Sequence, residues 1–432
     1  MDLSHAPSAD LDFSVMFPVL DAANHHHTAR VDWTFDPGRF SLASRNPISA
    51  GQEVYNSYGP KSNEELLTGY GFCLSDNPND AVLLTLKPPP ADLQTTLRKT
   101  HSGFFLSPTG VWNSDKATFK LRRPTLTPSA ETPTAAFDDL PEPLLELLTQ
   151  IIRFDRGLPF APILPSISSY LKDSSSPGGA RYLPFIARMI VTSLAPKYQK
   201  LQAGSQALGA APPKNARQAQ AQIYRDSQIS ILLATINSLR SFLRIFRPGS
   251  GEEGERLNPA GSRVVTLEEG LEALLGEDGS EVRAAFMAGV KANANTTDLE
   301  QLRLAGWEED AWVLLLCFAW LAGPSLEGQA KRFMAELEGE YQPAALLGSG
   351  SGEEATSVVQ GEASSEAGDM MGIVRKAAKE VPGSLWGDER WSERLIAGFG
   401  GRVLKNESFM MMVADREGRG EEARLVVYLH SR

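Results

Sequence analysis

The sequence has little cysteine, no long apolar run and no excess of positive charge, and each shortage closes off a class of protein. Its two cysteines, Cys73 and Cys317, cannot build a disulfide framework. Both stand among apolar neighbours, so the chain reads as one kept in a reducing compartment, cytoplasmic or nuclear. The longest apolar stretch, Ala311 to Gly323, is 13 residues. A membrane span needs about 20, so this stretch reads as a buried helix and no membrane association is expected. The opening residues MDLSHAPSADLDFS have neither the basic flank nor the apolar stretch of a signal peptide. Against 53 acidic side chains stand 42 basic ones, a net charge of −11. A chain of that sign repels a phosphate backbone, so nucleic acid is not an expected partner. The consecutive His25, His26 and His27 invite a metal, but neighbouring side chains diverge and no second Cys or His pair stands at zinc-site spacing. They read as a polar loop, and no metal is expected.

What is present is enough for two or three globular domains: 432 residues, 42% of them hydrophobic. Residues 1–87 are turn-rich and locally β-like. Val31 to Phe35 and Phe40 to Ser44 alternate as strands around the turn Asp36-Pro-Gly38. Glu53 to Tyr58 is a further strand candidate, and so is Ala81 to Leu86. Asn63 to Tyr70 predicts a two-turn helix that Gly71 stops. Pro124 to Pro141, rich in Thr, Pro, Ser and Ala, reads as a linker or surface loop.

Beyond it, apolar residues recur at helical spacing. Leu144, Leu145, Leu147, Leu148, Ile151 and Ile152 form one face behind Pro141, and a long helix is expected from about 216 to 246. More are expected at 266–276, 280–292, 297–305, 308–322 and 325–338. Pro248 to Gly254 reads as a loop. Residues 347–368, rich in Gly, Ser and Glu and without aromatics, are expected to be disordered. Ser408–Val413 and Arg424–Leu429 predict a terminal β-hairpin.

Three stretches carry the functional argument: Phe17-Pro-Val-Leu-Asp-Ala-Ala-Asn-His-His-His27, Ile48-Ser-Ala-Gly-Gln-Glu-Val-Tyr-Asn-Ser-Tyr-Gly59 and Pro60-Lys-Ser-Asn-Glu-Glu-Leu-Leu-Thr-Gly-Tyr-Gly-Phe72. Taken singly, Tyr58 and Tyr70 read as amphipathic core residues. In this order, the three stretches resemble the C-terminal half of a SET domain, the fold of protein lysine methyltransferases. They are most similar to the branch typified by the Rubisco large-subunit methyltransferase and its fungal relatives.

The resemblance implies an α+β protein. Residues 1–90 would be the C-terminal part of a SET domain, 91–140 a connecting segment and 141–346 an all-helical substrate-binding-type domain. Residues 347–368 would be the disordered insertion, and 369–432 the end of the helical domain with the hairpin. Only 23 residues precede Asn24, and none supplies the G-x-G of a cofactor-binding strand. The chain is therefore expected to begin inside the domain, with unpaired strand edges and exposed apolar surface.

The implied cofactor is S-adenosylmethionine, held by Asn24 and His25 in a threaded loop with Phe72 near the adenine. Tyr58 would be the active-site tyrosine at the channel joining cofactor and substrate, and Tyr70 would line that channel. The implied activity is N-methylation of lysine on a non-histone protein, such as a ribosomal protein or translation factor, by a monomer. Methyl transfer from a sulfonium to an amine is an in-line displacement, so catalysis there comes mainly from alignment and exclusion of water. Two other readings stay open: a non-catalytic protein-binding module derived from such an enzyme, and a histidine side chain as methyl acceptor.

Overall fold

The computed structural model describes residues 16–36, 39–107, 109–129, 132–158, 167–172, 179–208, 212–245, 247, 263–347, 363–414 and 420–430. It mixes helix with small sheets, as an α+β reading requires. The chain divides into two compact units. The first comprises Met1–Leu84, Lys120–Arg123 and Pro196–Leu233; the second comprises Thr85–Phe119, Pro124–Ala195 and Ala234–Arg432.

In the first unit, β1 (Val31–Asp36) and β2 (Arg39–Ser44) pair as the expected antiparallel hairpin, with Trp33 opposite Leu42 and Phe35 opposite Phe40. Phe40 stacks on Phe17 at 4.1 Å, while Phe35 and Val19 stand exposed. The segment Glu53–Tyr58 does not form the expected strand. It makes one isolated parallel bridge, His25 to Asn56, because it meets the Asn24–His26 turn at one residue rather than running beside an extended partner.

Helix α1 (Asn63–Tyr70) is built as its sequence dictates. Ser62 caps it, Glu65 at the third position returns the bond to the Ser62 amide, and Gly71 ends it at φ 80°, where a side chain would be strained. The α1 face that turns inward buries Leu66 and the amide of Asn63. That amide is the hub of its surroundings. It donates to Leu74 O and Asp80 Oδ2, both at 3.0 Å, and accepts from Leu74 N and from Asn77 Nδ2.

Strand β3 (Ala81–Thr85) follows and shares a two-stranded sheet with β4 (Thr118–Arg122). The long helix expected near 216–246 is present as Ala216–Ile245. In the first unit it donates from Gln228 Nε2 to Ala81 O at 2.9 Å and from the Tyr224 hydroxyl to Glu64 at 3.2 Å; Gln220 accepts the amide of Cys73. The preceding helix Leu183–Leu208 carries Pro196 in its interior, one of the chain positions at which the two units divide.

The second unit is organised by helix Glu308–Leu321, in which every residue from Ala311 to Leu321 is buried. This is the long apolar run of the sequence, buried all round as its lack of a polar face requires. Phe318 meets Phe286 edge-on at 5.3 Å, and Trp386 closes on both rings at 5.1 and 5.5 Å. Gly270 and Gly289 give the room: a methyl on either would overlap the indole of Trp312 or Trp386.

The expected terminal hairpin is found as β6 (Ser408–Ala414) and β7 (Glu421–Leu429), and β5 (Arg263–Val265) joins it as a third strand in the order β5-β7-β6. A charged cluster is buried in this unit. Glu407 receives Arg156 at 3.1 Å, Arg181 at 2.7 Å and the Tyr341 hydroxyl at 2.7 Å.

Residues 91–140 contain helix Ala91–Thr100 and a buried aromatic cluster in which Trp112 lies 5.6 Å from both Phe104 and Phe105. The Pro248–Gly254 loop lies outside the described residues. So does most of 347–368, though Ala363–Glu380 is helical and takes in the end of that segment. No helix among the described residues is long and apolar enough to cross a membrane.

Candidate functional site

Asn24, His25, Tyr58, Tyr70 and Phe72, far apart in three motif stretches, come together in the first unit. The first contact is backbone: Asn56 N donates to Asn24 O at 2.8 Å and His26 N to Asn56 O at 3.1 Å. His25 is buried at the bridge, and its Nδ1 accepts the Tyr58 amide at 3.1 Å. An Nδ1 that accepts carries no proton, so His25 is the neutral tautomer protonated on Nε2. Burial favours the same state: it lowers the His25 pKa, more than the hydrogen bond with Asn56 raises it, and His26 adds to the lowering.

The rings then form a row, with His25 stacked on Tyr58 and the other pairs tilted. His25 lies 5.2 Å from Tyr58, Tyr58 lies 4.6 Å from Tyr70, and Phe72 lies 6.3 Å from both His25 and Tyr70. The Tyr58 hydroxyl donates to Ala23 O at 3.0 Å. Burial, with Tyr70 and Asp21 nearby, pushes its pKa above the ordinary value. Tyr58 is therefore a neutral phenol at neutral pH, with its proton committed to a carbonyl and its lone pairs left to accept. Tyr70 is half exposed, and the Lys61 ammonium lies 5.9 Å from its ring centre.

Asn24 is exposed, and its Nδ2 donates to Glu53 Oε1 at 2.6 Å. That bond engages the amide nitrogen and leaves Oδ1 as an acceptor. The other two histidines diverge from His25: His26 and His27 stack on each other at 4.7 Å, and His26 faces Tyr55. Among the described residues, no group of three or more His, Cys, Asp or Glu is placed to hold a metal ion.

Three supports were not singled out in the sequence: Glu53, which fixes the Asn24 amide; Asn56, whose backbone receives and returns the Asn24–His26 bonds; and Ala23, whose carbonyl anchors Tyr58. Glu53 and Asn56 lie inside the quoted motif stretch. Their signal was polarity in a segment that had no second strand to pair with. A backbone carbonyl such as that of Ala23 leaves no signal in a sequence.

A site of aromatic rings, a neutral histidine and an exposed amide can grip a flat heterocycle, and it supplies no nucleophile. The chain is similar to protein-lysine N-methyltransferases. It is 29% identical over 239 residues to the ribosomal lysine N-methyltransferase set10 of Schizosaccharomyces pombe, covering 53% of this chain and 39% of that protein. It is 41% identical over 87 residues to ribosomal lysine N-methyltransferase 1 of Saccharomyces cerevisiae, covering 20% and 15%. Protein-lysine N-methyltransferase EFM1 of the same yeast is 34% identical over 82 residues, covering 18% and 14%. The chain thus spans less than half the length of these curated relatives. No family profile matches it, and no solved structure does.

Proposed function

We propose that the chain belongs to an S-adenosylmethionine-dependent protein-lysine N-methyltransferase of SET type acting on a non-histone, ribosomal or translational protein in the cytoplasm or nucleus. The first unit would supply the C-terminal part of the SET domain, and the helices of the second the substrate-binding part. The observation that carries this reading is the convergence of Asn24–His25 on Asn56–Tyr58, with Tyr70 and Phe72 closing the ring row. The similarity to ribosomal lysine methyltransferases supports it.

The residues fit such a cofactor. Asn24 presents an amide oxygen with its nitrogen already satisfied, and half-buried Phe72 offers an aromatic face. When bound, S-adenosylmethionine supplies an electrophilic methyl group. Asn24 and the His25 segment would hold it, and Phe72 would pack on its heterocycle. Tyr58 and Tyr70 would line the way to the target amine, where aromatic walls disfavour an ammonium and so promote the neutral, nucleophilic form. The lone pairs of the Tyr58 oxygen would accept weak C–H contacts and keep water out. Since Tyr58 stays a neutral phenol, its part is alignment and not proton removal.

Calorimetric titration of S-adenosylmethionine into this chain, beside a longer version extended upstream, tests the reading. Saturable binding weakened about tenfold by Asn24→Ala is expected, since one hydrogen bond to a polar or charged group is lost. No binding in either version overturns it and leaves a non-catalytic binding module. Tyr58→Phe should leave cofactor affinity within about twofold while methyl transfer to lysine falls about 100-fold, the scale of losing one aligned polar contact at a reacting centre. An unchanged rate removes Tyr58 from the mechanism.

A further inference from the structure

A cleft of about 500 Å³ opens in the second unit, where the end of helix Leu267–Leu275 meets the starts of Glu281–Ala294 and Gly328–Tyr341. That volume is within the range of binding sites, roughly 300–1,000 Å³. Part of its lining is apolar: Leu275 and Leu326, at the edge of the core, stand there beside Ala273, Val282 and Ala330. Its rim is acidic. Glu272, Glu277 and Glu327 are exposed around the opening, and no cation among the described residues pairs with them.

The acids that do find partners show what this surface attracts. Glu269, also on the lining, is held by Arg247 at 2.7 Å, and Arg283 bonds both Asp278 and the Gly276 carbonyl at the end of Leu267–Leu275. A helix C-terminus adds partial negative charge of its own. Arg263 is the basic residue on the lining, which leaves the acids in excess.

We propose that this cleft docks a segment of a partner protein in which an apolar side chain is flanked by lysine or arginine. The apolar part of the lining would take the apolar anchor, and the three glutamates would receive the flanking cations and set the register. An anionic or purely apolar segment would leave the rim carboxylates opposed or unpaired. The proposal leans on the methyltransferase reading in one respect only: a lysine-bearing protein substrate has this chemistry.

The test is fluorescence anisotropy of a short labelled peptide with a central leucine between lysines, titrated with the full chain, beside a counterpart carrying glutamates. Saturable binding of the lysine peptide is expected, weakening with added salt and about tenfold weaker for E272Q/E277Q/E327Q. All three glutamates are exposed, so the triple variant should fold normally. Ala330→Trp, on the lining, fills the cleft without changing its charge and should weaken binding as well. Equal binding to both variants, equal binding of the glutamate peptide, or no saturable binding overturns the proposal. A dimer seen by sedimentation that dissolves in the triple variant assigns the cleft to a second copy and overturns it too. None of these readouts involves cofactor or turnover, so failure of the methyltransferase reading would show separately.

Discussion

In the first unit, the buried amide of Asn63 ties together α1, the segment at Leu74 and Asp80, and helix Ala216–Ile245 is fastened to the same region by Gln220, Tyr224 and Gln228. In the second, eleven consecutive residues of one helix are buried among leucines, phenylalanines and tryptophans. The difference is one of means. Hydrogen bonds are directional and fix where each backbone segment lies, whereas apolar burial is non-directional and supplies the bulk of the free energy. A site made of loops and turns needs the first, and a helical scaffold lives on the second. The second unit also buries charge in the Glu407 cluster, where Arg156 and Arg181 share a carboxylate with Tyr341.

That contrast can be broken most forcefully in the second unit. Trp312→Ala removes a fully buried indole and should cost about 3–5 kcal/mol, the range for deleting a large buried side chain. Hydrogen exchange should report the loss in helix Glu308–Leu321 and its neighbours. A smaller loss spread evenly over the chain would mean the units are not separate packing entities.

Asn63→Ala should cost less, about 2 kcal/mol, because it orphans the Leu74 backbone groups and one Asp80 oxygen without opening a large cavity. Its mark is locality: faster exchange at Leu74 and Ala81, with the tryptophan core unchanged.

The smallest effect concerns charge. The Lys120 ammonium, helped by the Ser62 amide and hydroxyl, holds the Glu65 carboxyl at about 2, against its ordinary 4.5. A carboxyl depressed in the folded state stabilises it fully above pH 4.5, and that contribution is lost as pH falls toward 2. Both partners are well exposed, so solvent screening keeps the contribution below about 1 kcal/mol. Lys120→Met should therefore lower stability by up to that amount at neutral pH, with the difference from the parent chain vanishing as pH falls toward 2, so that the acid limb is flatter.

Much of this was legible in the sequence where the signal is local. Ser62 with Glu65 and Gly71 writes out α1, the alternation around Asp36 writes out the β1–β2 hairpin, and the apolar run from Ala311 announces a buried helix. The three short stretches that carry the five candidate residues do meet: His25, Tyr58, Tyr70 and Phe72 bring their rings together, and Asn24 joins them through the backbone bond from Asn56. What was not legible depends on distant partners. Glu53–Tyr58 alternates like a strand but has only the turn at Asn24 to meet. Strand β5 is three residues long and exists because β7, far along the chain, offers an edge. Helix Ala363–Glu380 starts in a Gly/Ser-rich stretch whose composition argues against it, yet its Ala367, Val374 and Ala377 join the core.

Where Gly270 meets Trp312 and Gly289 meets Trp386, each pair behaves as a single unit of inheritance. The glycine cannot gain a methyl while the indole is there, and the indole cannot shrink first without leaving a void. Any route through sequence space that changes one member crosses a destabilised intermediate, by overpacking in one order and by a cavity in the other. In any set of descendants of this sequence, these positions should therefore stay fixed or change in step.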